Sequence, residues 1–92
     1  MPYAVEVGID LHKEFSMFAA LDQTGNLLSV DKISNDTRIF DKYFDYLPTK
    51  NVRVTVESTR GVSWVIDYFS TKKIPLIVFY LRLRWTDIVY HI

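Results

Sequence analysis

The chain contains no cysteine, only three glycines and three prolines, and no net charge. The absence of cysteine excludes a disulfide scaffold, a cysteine-ligated zinc or iron–sulfur site and a thiol nucleophile. The low glycine and proline content excludes collagen-like and flexible-linker compositions. No apolar run approaches the roughly 18 residues of a membrane-spanning segment, and the N-terminus lacks the layout of a signal peptide. The sequence therefore predicts a cytoplasmic protein with no membrane partner.

The composition is that of one small folded domain. The chain has 92 residues, of which 49% are hydrophobic and 15% aromatic, and this length leaves room for a single core. Its charge is unevenly distributed, since residues 1–46 carry four basic and eight acidic side chains and residues 47–92 carry seven basic and three acidic ones. The basic second half suits an anionic ligand, although such a split also arises in neutral domains without a function.

The periodicity of apolar residues predicts seven elements. Five segments have the alternation or the dense apolar composition of strands: residues 3–10, 15–21, 27–33, 52–57 and 76–79. Two segments have helical spacing, residues 36–47, which Asn35 or Asp36 caps, and residues 61–73. Short turns make the first three strands antiparallel, and right-handed crossovers place strands four and five parallel to strand one. The predicted fold class is α/β, with the order β-β-β-α-β-α-β and helices packed on a mixed five-stranded sheet.

Two carboxylates end strands that are predicted to be neighbours. Asp10 is the last residue of the first predicted strand and Glu57 the last of the fourth, so both side chains leave the sheet at the edge where open α/β sheets bind ligands. Two close carboxylates favour a hard cation between them, which predicts Mg²⁺ or Mn²⁺. Gly8 would let a ligand approach, and His12 is a candidate ligand or base beside Asp10. The alternative to a metal site is that Asp10 and Glu57 are solvated acids at strand ends and that His12 is a solvated histidine in a turn.

These positions resemble motifs of the DEDD-type insertion-sequence transposases, the group that includes the pilin-gene invertases. Residues 7–14, Val-Gly-Ile-Asp-Leu-His-Lys-Glu, resemble the opening motif of that family. Residues 20–27, Ala-Leu-Asp-Gln-Thr-Gly-Asn-Leu, are similar to its first hairpin. Residues 54–64, Val-Thr-Val-Glu-Ser-Thr-Arg-Gly-Val-Ser-Trp, resemble its Glu-Ala-Thr-Gly segment and the helix that follows. The similarity covers about residues 5–79, with the motifs in the family's order.

The resemblance implies a RuvC-like, ribonuclease H-like fold that takes part in DNA transposition and recombination. It implies that Asp10 and Glu57 are the first two acids of a metal site that acts on DNA strands, in a family that also uses a guide RNA. Asp87 matches the third acid in part, whereas Tyr90 stands where the fourth is expected. Residues 1–79 are thus predicted to be a partial transposase domain and residues 80–92 an atypical apolar tail, in a truncated or frameshifted gene whose product is inactive alone.

Two basic residues are candidates for contact with nucleic acid. Arg60 follows Glu57 in a loop and is expected either to grip a phosphate or to form a salt bridge with one of the two acids. Lys13 lies three residues after Asp10, where its side chain would approach a phosphate. The alternative is that Lys13 is an ordinary surface lysine.

Two further functions compete with the transposase-type site. Actin-like kinases also open with an apolar-Gly-Ile-Asp strand and a hairpin, but residues 11–13, Leu-His-Lys, lack the small phosphate-binding residues expected there. A non-catalytic interaction module would have the same fold without a working site and would form a homo-oligomer through the apolar tail, residues 80–92, either as a dimer contact or as an extra strand.

Overall fold

The computed structural model describes residues 3–57 and 61–79. These residues form five strands and two helices in the predicted order: β1 (Val5–Leu11), β2 (Phe15–Asp22), β3 (Leu27–Ser34), α1 (Thr37–Tyr46), β4 (Val52–Glu57), α2 (Val62–Lys72) and β5 (Leu76–Phe79). The predicted tail over residues 80–92, with its candidate ligand Asp87, and the candidate phosphate contact Arg60 lie outside the described residues.

The five strands form one mixed sheet with the order β3-β2-β1-β4-β5. Strands β1, β2 and β3 pair antiparallel, and the two helical crossovers bring β4 and β5 in parallel to β1. The prediction of an α/β fold with a mixed five-stranded sheet is therefore confirmed.

Several boundaries differ from the prediction by one or two residues. Strand β1 begins at Val5 rather than Tyr3 and ends at Leu11 rather than Asp10, because the Leu11 side chain is buried and extends the core-facing alternation by one residue. Strands β2 and β3 each end one residue later than predicted, and both helices are one residue shorter at each end.

The ends of the helices follow from local chemistry. Asp36, rather than Asn35, caps α1, since its Oδ1 accepts the backbone N–H of Arg38 at 2.8 Å. Helix α2 begins after Gly61, whose φ of 80° favours glycine, and ends at Lys72. The N–H of the next residue, Lys73, donates to the carbonyls of Phe69 and Ser70. No helix in the described ranges is long and apolar enough to cross a membrane.

Both helices pack on the same face of the sheet. Alternate residues of β1 and β4 join the helices in one buried cluster, which consists of Val5, Val7, Ile9, Leu11, Phe18, Ala20, Phe40, Phe44, Val52, Val54, Val56, Val65, Tyr68 and Phe69. The intervening residues of the strands point the other way, onto a face that we call the open face. Within residues 3–57 and 61–79, no element packs on the open face.

Phe40 of α1 is the centre of the core. It is fully buried, and its ring makes edge contacts with Phe18 of β2, at 4.9 Å between centroids, and with Tyr68 of α2, at 5.4 Å. It also contacts Trp64 and Phe69. Phe40 thus joins the sheet to both helices, and edge-to-face ring pairs add to the free energy that burial alone supplies.

Replacing Phe40 tests this role. Phe40→Ala is expected to lower the free energy of unfolding by about 3–5 kcal/mol, because it removes a fully buried ring and leaves a cavity. Tyr46→Ala on the same helix is the control, since 89% of Tyr46 is exposed, and it is expected to change stability by less than about 0.5 kcal/mol. Urea denaturation followed by circular dichroism measures both. Equal losses in the two variants would contradict the assignment.

Candidate functional site

Asp10 and Glu57 lie side by side on the open face. Strands β1 and β4 pair in parallel with Ile9 opposite Val56, so the next residue of each strand is Asp10 and Glu57. Neighbouring strands are about 4.8 Å apart, which makes the two carboxylates direct cross-strand neighbours. Both line one shallow groove at the carboxyl edge of the parallel strands. The predicted parallel pairing of these two strands is confirmed, and it places the two acids at neighbouring positions. That they form a site stays a prediction.

His12 contacts the first of these acids. Its Nε2 lies 3.0 Å from Oδ2 of Asp10, and both side chains are about half exposed. The imidazole ring stacks on Phe15, with 4.7 Å between centroids and 19° between planes, and the Nζ of Lys32 lies 4.4 Å from the centre of the Phe15 ring. Phe15, which the sequence did not single out, thereby fixes the position of the histidine beside Asp10.

Asn35 holds the β1–β2 turn in place. Its Nδ2 donates to the carbonyl oxygen of His12 at 2.6 Å, its backbone N–H donates to the carbonyl of Glu14, and its Oδ1 accepts from the buried hydroxyl of Ser16 at 2.6 Å. The sequence marked Asn35 only as a possible helix cap, because a contact with a residue 19 positions earlier has no local signal. Asn35 thus supports the segment that carries His12.

The chemistry of this donor set suits a hard divalent cation. Adjacent carboxylates repel each other, and a cation with oxygen ligands such as Mg²⁺ or Mn²⁺ relieves that repulsion. Among residues 3–57 and 61–79, however, no three His, Asp or Glu side chains are grouped so as to hold a metal ion. Asp10 and Glu57 fit such an ion as two of its ligands, and the remaining ligands would come from other donors.

Of the remaining predicted site residues, the structure describes only Lys13. Lys13 is exposed in the β1–β2 turn, two residues beyond the end of β1. Arg60 and Asp87 fall outside the described residues, so neither the predicted phosphate contact nor the predicted third acid is placed. Phe79, which the sequence treated only as part of the last strand, lies opposite Glu57 in register and lines the same groove.

A larger cavity, of about 440 Å³, lies between the C-terminal ends of the two helices. Its Asp41 accepts a hydrogen bond from the Tyr68 hydroxyl at 2.7 Å and pairs with Lys72 at 3.1 Å. These contacts lower the pKa of Asp41, while burial raises the pKa of Tyr68. Asp45 pairs with Lys50 in the same way. Because Asp41 and Asp45 already pair with lysines, we attribute the cavity to the packing of the two helices.

No protein-family model and no curated protein matches the sequence. The similarity of residues 7–14 and 54–64 to transposase motifs therefore stays a prediction.

The bond between Ser16 and Asn35 can be measured with a double-mutant cycle. Asn35→Ala is expected to lower the free energy of unfolding by about 1–3 kcal/mol, because it leaves the buried Ser16 hydroxyl without its acceptor. Adding Ser16→Ala should cost less in that background than in the wild type, since the orphaned hydroxyl is then removed. Denaturant unfolding of the four proteins gives the coupling energy. Strict additivity would show that the bond contributes nothing to stability.

Proposed function

We propose that Asp10 and Glu57 form part of a divalent-cation site of ribonuclease H-like type and that this site acts on DNA strands in transposition or recombination. The observation that carries the proposal is the placement of the two acids next to each other at the carboxyl ends of adjacent parallel strands, on the open face. Neither acid has a described lysine or arginine partner that would give it a purely structural role. Among residues 3–57 and 61–79, the hydrogen-bond partner of the Asp10 side chain is His12.

The topology supports this proposal. Three antiparallel strands followed by two helix-linked parallel strands are what the resemblance to RuvC-like transposase domains implies. In that resemblance the first acid lies on β1 and the second at the end of β4, which are the positions of Asp10 and Glu57. Many functions share a fold, so the two acids support the proposal as well as the topology.

The proposed cofactor is Mg²⁺ or Mn²⁺. Such an ion, when bound, supplies Lewis-acid activation of a phosphodiester and stabilises the charge that develops on its oxygens. Asp10 and Glu57 would hold the ion on the β1 and β4 side. Asp87, through the resemblance, is the candidate for a third ligand. We propose that cleavage needs ligands beyond the two described acids, so that these two alone bind a cation without turning over DNA.

The proposed partner is DNA, with a guide RNA as in the family that the motifs resemble. The phosphate backbone attracts basic side chains, and the candidates near the acids are Lys13, in the turn after β1, and Arg60, three residues after Glu57. The surplus of basic over acidic side chains in residues 47–92 fits an anionic ligand. Base identity is not specified by these contacts, because phosphate contacts do not read sequence.

Mn²⁺ titration followed by calorimetry tests the cation site. Saturable binding is expected for the wild type, and Asp10→Asn and Glu57→Gln should each weaken it at least about tenfold, since each removes a charged ligand. Asp67→Asn is the matched control: it removes the same charge from an exposed position on α2, on the helical side of the sheet. No binding by the wild type at millimolar Mn²⁺, or an equal loss in Asp67→Asn, would contradict the proposal.

A second candidate function is that of a homodimeric interaction module. The observation that favours it is the exposure of apolar side chains on the open face: Val30, on β3 at one edge, is 55% exposed, and Ile77 and Phe79, on β5 at the opposite edge, are 37% and 50% exposed. Apolar side chains exposed on one face of a sheet favour association with another protein surface. The predicted homo-oligomer contact through residues 80–92 belongs to the same hypothesis.

Sedimentation velocity tests this second candidate. If the chain is an interaction module, its sedimentation coefficient should rise with concentration through the micromolar range, because dimerisation follows mass action. Ile77→Lys should then shift the equilibrium toward monomer, since it places a charge on the apolar surface. Ser70→Lys, exposed on α2, is the control. A monomer at every concentration would remove this candidate.

A further inference from the structure

Gly8 occupies the middle of β1 although nothing in the described chain requires a glycine there. Its φ is not positive, and a Cβ added at this position would meet no atom within 4 Å. Glycine inside a strand costs about 0.5–1 kcal/mol relative to alanine. A glycine in a strand often marks the close approach of a ligand or of another backbone. The space in front of Gly8 is therefore the place to look for an occupant from outside the described chain.

This space is the floor of the groove that also holds the two acids. In register, Gly8 lies between Ala19 of β2 and Thr55 of β4, so three small residues form a low strip across the sheet. Asp10 and Glu57 stand two residues further along β1 and β4 and form one side of the groove, whose volume is about 350 Å³. The groove is thus continuous with the proposed cation site.

Beyond the end of the groove that lies away from the acids, the open face carries a paired charge. Glu6 and Arg53 lie opposite each other, two residues before Gly8 and Thr55, and Nε of Arg53 donates to Oε1 of Glu6 at 2.7 Å. Both side chains are about three-quarters buried, and the Arg53 guanidinium lies 4.9 Å from the centre of the Tyr3 ring. Because Glu6 and Arg53 neutralise each other, the net charge that the described residues place along the groove is that of Asp10, with His12 beside it, and Glu57.

An exposed aromatic ring stands beside the acids. Phe79 is the register partner of Glu57, and half of its surface is exposed although the two core-facing residues of β5, Leu76 and Val78, pack against the core. Exposed rings at the side of a groove are the platforms on which unpaired nucleic-acid bases stack. An occupant that used both the exposed ring and the acids would carry a flat aromatic ring and, close to it, an anionic group that reaches the acids through the proposed cation.

A nucleotide combines these two features, whereas an apolar protein segment would leave the acids unused. We propose that the groove seats the base of an unpaired nucleotide, stacked on Phe79 above Gly8, with its phosphate directed toward Asp10 and Glu57. This inference rests on the proposed function. It specifies the substrate further: the strand that the site handles is single-stranded at this nucleotide, because a base within a duplex has both faces covered by its neighbours.

The test uses a short single-stranded DNA that carries 2-aminopurine, with Mg²⁺ present. Wild-type protein is expected to bind the oligonucleotide and quench its fluorescence, because the base stacks on Phe79. Phe79→Leu should weaken binding between about fivefold and a hundredfold, the range for loss of one stacked base, and Phe79→Trp should restore both binding and quenching. Gly8→Leu should abolish binding by filling the groove, and Ser70→Leu on α2 is the matched control that should leave it unchanged.

Three results would overturn the inference. One is unchanged oligonucleotide binding in both Phe79→Leu and Gly8→Leu, and another is equal, Phe79-dependent binding of the same sequence as a duplex. The third is a change in oligomeric state in Gly8→Leu without an effect on DNA binding, which would assign the groove to a protein partner. If Gly8→Leu does not fold, the Phe79→Leu and Phe79→Trp pair decides.

Mn²⁺ affinity, measured in the same proteins, separates the two proposals. Phe79→Leu and Gly8→Leu are expected to keep the wild-type affinity, because neither removes an oxygen ligand. A normal Mn²⁺ affinity with DNA binding that is insensitive to both variants would reject the nucleotide groove alone. Absence of Mn²⁺ binding in the wild type would reject the cation site itself.

Discussion

The arrangement of this protein depends on the burial of every second residue of β1 and β4 beneath two helices that share one face of the sheet. Val7 and Ile9 on β1, and Val54 and Val56 on β4, cannot leave that core without exposing apolar surface. Because side chains alternate strictly along a strand, the residues between them must point to the open face. The position of the two acids is thus a consequence of the core: a shift of one residue in either strand would bury a carboxylate and expose valines.

The same constraint explains why Asp10 and Glu57 are neighbours on the open face. A parallel pair of strands brings residues at equal positions side by side, and Asp10 and Glu57 follow Ile9 and Val56, which are paired in register. Placing like charges next to each other opposes folding unless a cation or a proton intervenes. The proposed cation site therefore takes its geometry from the hydrophobic core beneath β1 and β4.

Much of this could be predicted from the sequence, because the information is local and periodic. Alternation in residues 5–11 and 52–57 indicates both the strands and the faces, and helix-linked strands are parallel for reasons of handedness. The support around His12 could not be predicted. Asn35 joins the β1–β2 turn to the end of β3 through contacts with residues 19 to 23 positions earlier in the chain, and no spacing rule reports such a bond. The end of β1 was misplaced by one residue because Leu11 continues the alternation into a segment that looks like a turn.

The reason for a glycine at position 8 follows from the sequence and the structure together. In the sequence, a glycine between Val7 and Ile9 has two explanations, a backbone that needs unusual torsion angles or a surface that needs room. The described backbone removes the first, because φ is not positive, and it also removes close packing within the described chain, because a Cβ would meet nothing. What remains is room on the open face, between small neighbours and beside two acids. A side chain at this position would stabilise the strand, and the described fold does not require a glycine there. Space for a bound molecule on the open face therefore explains the glycine better than the fold does.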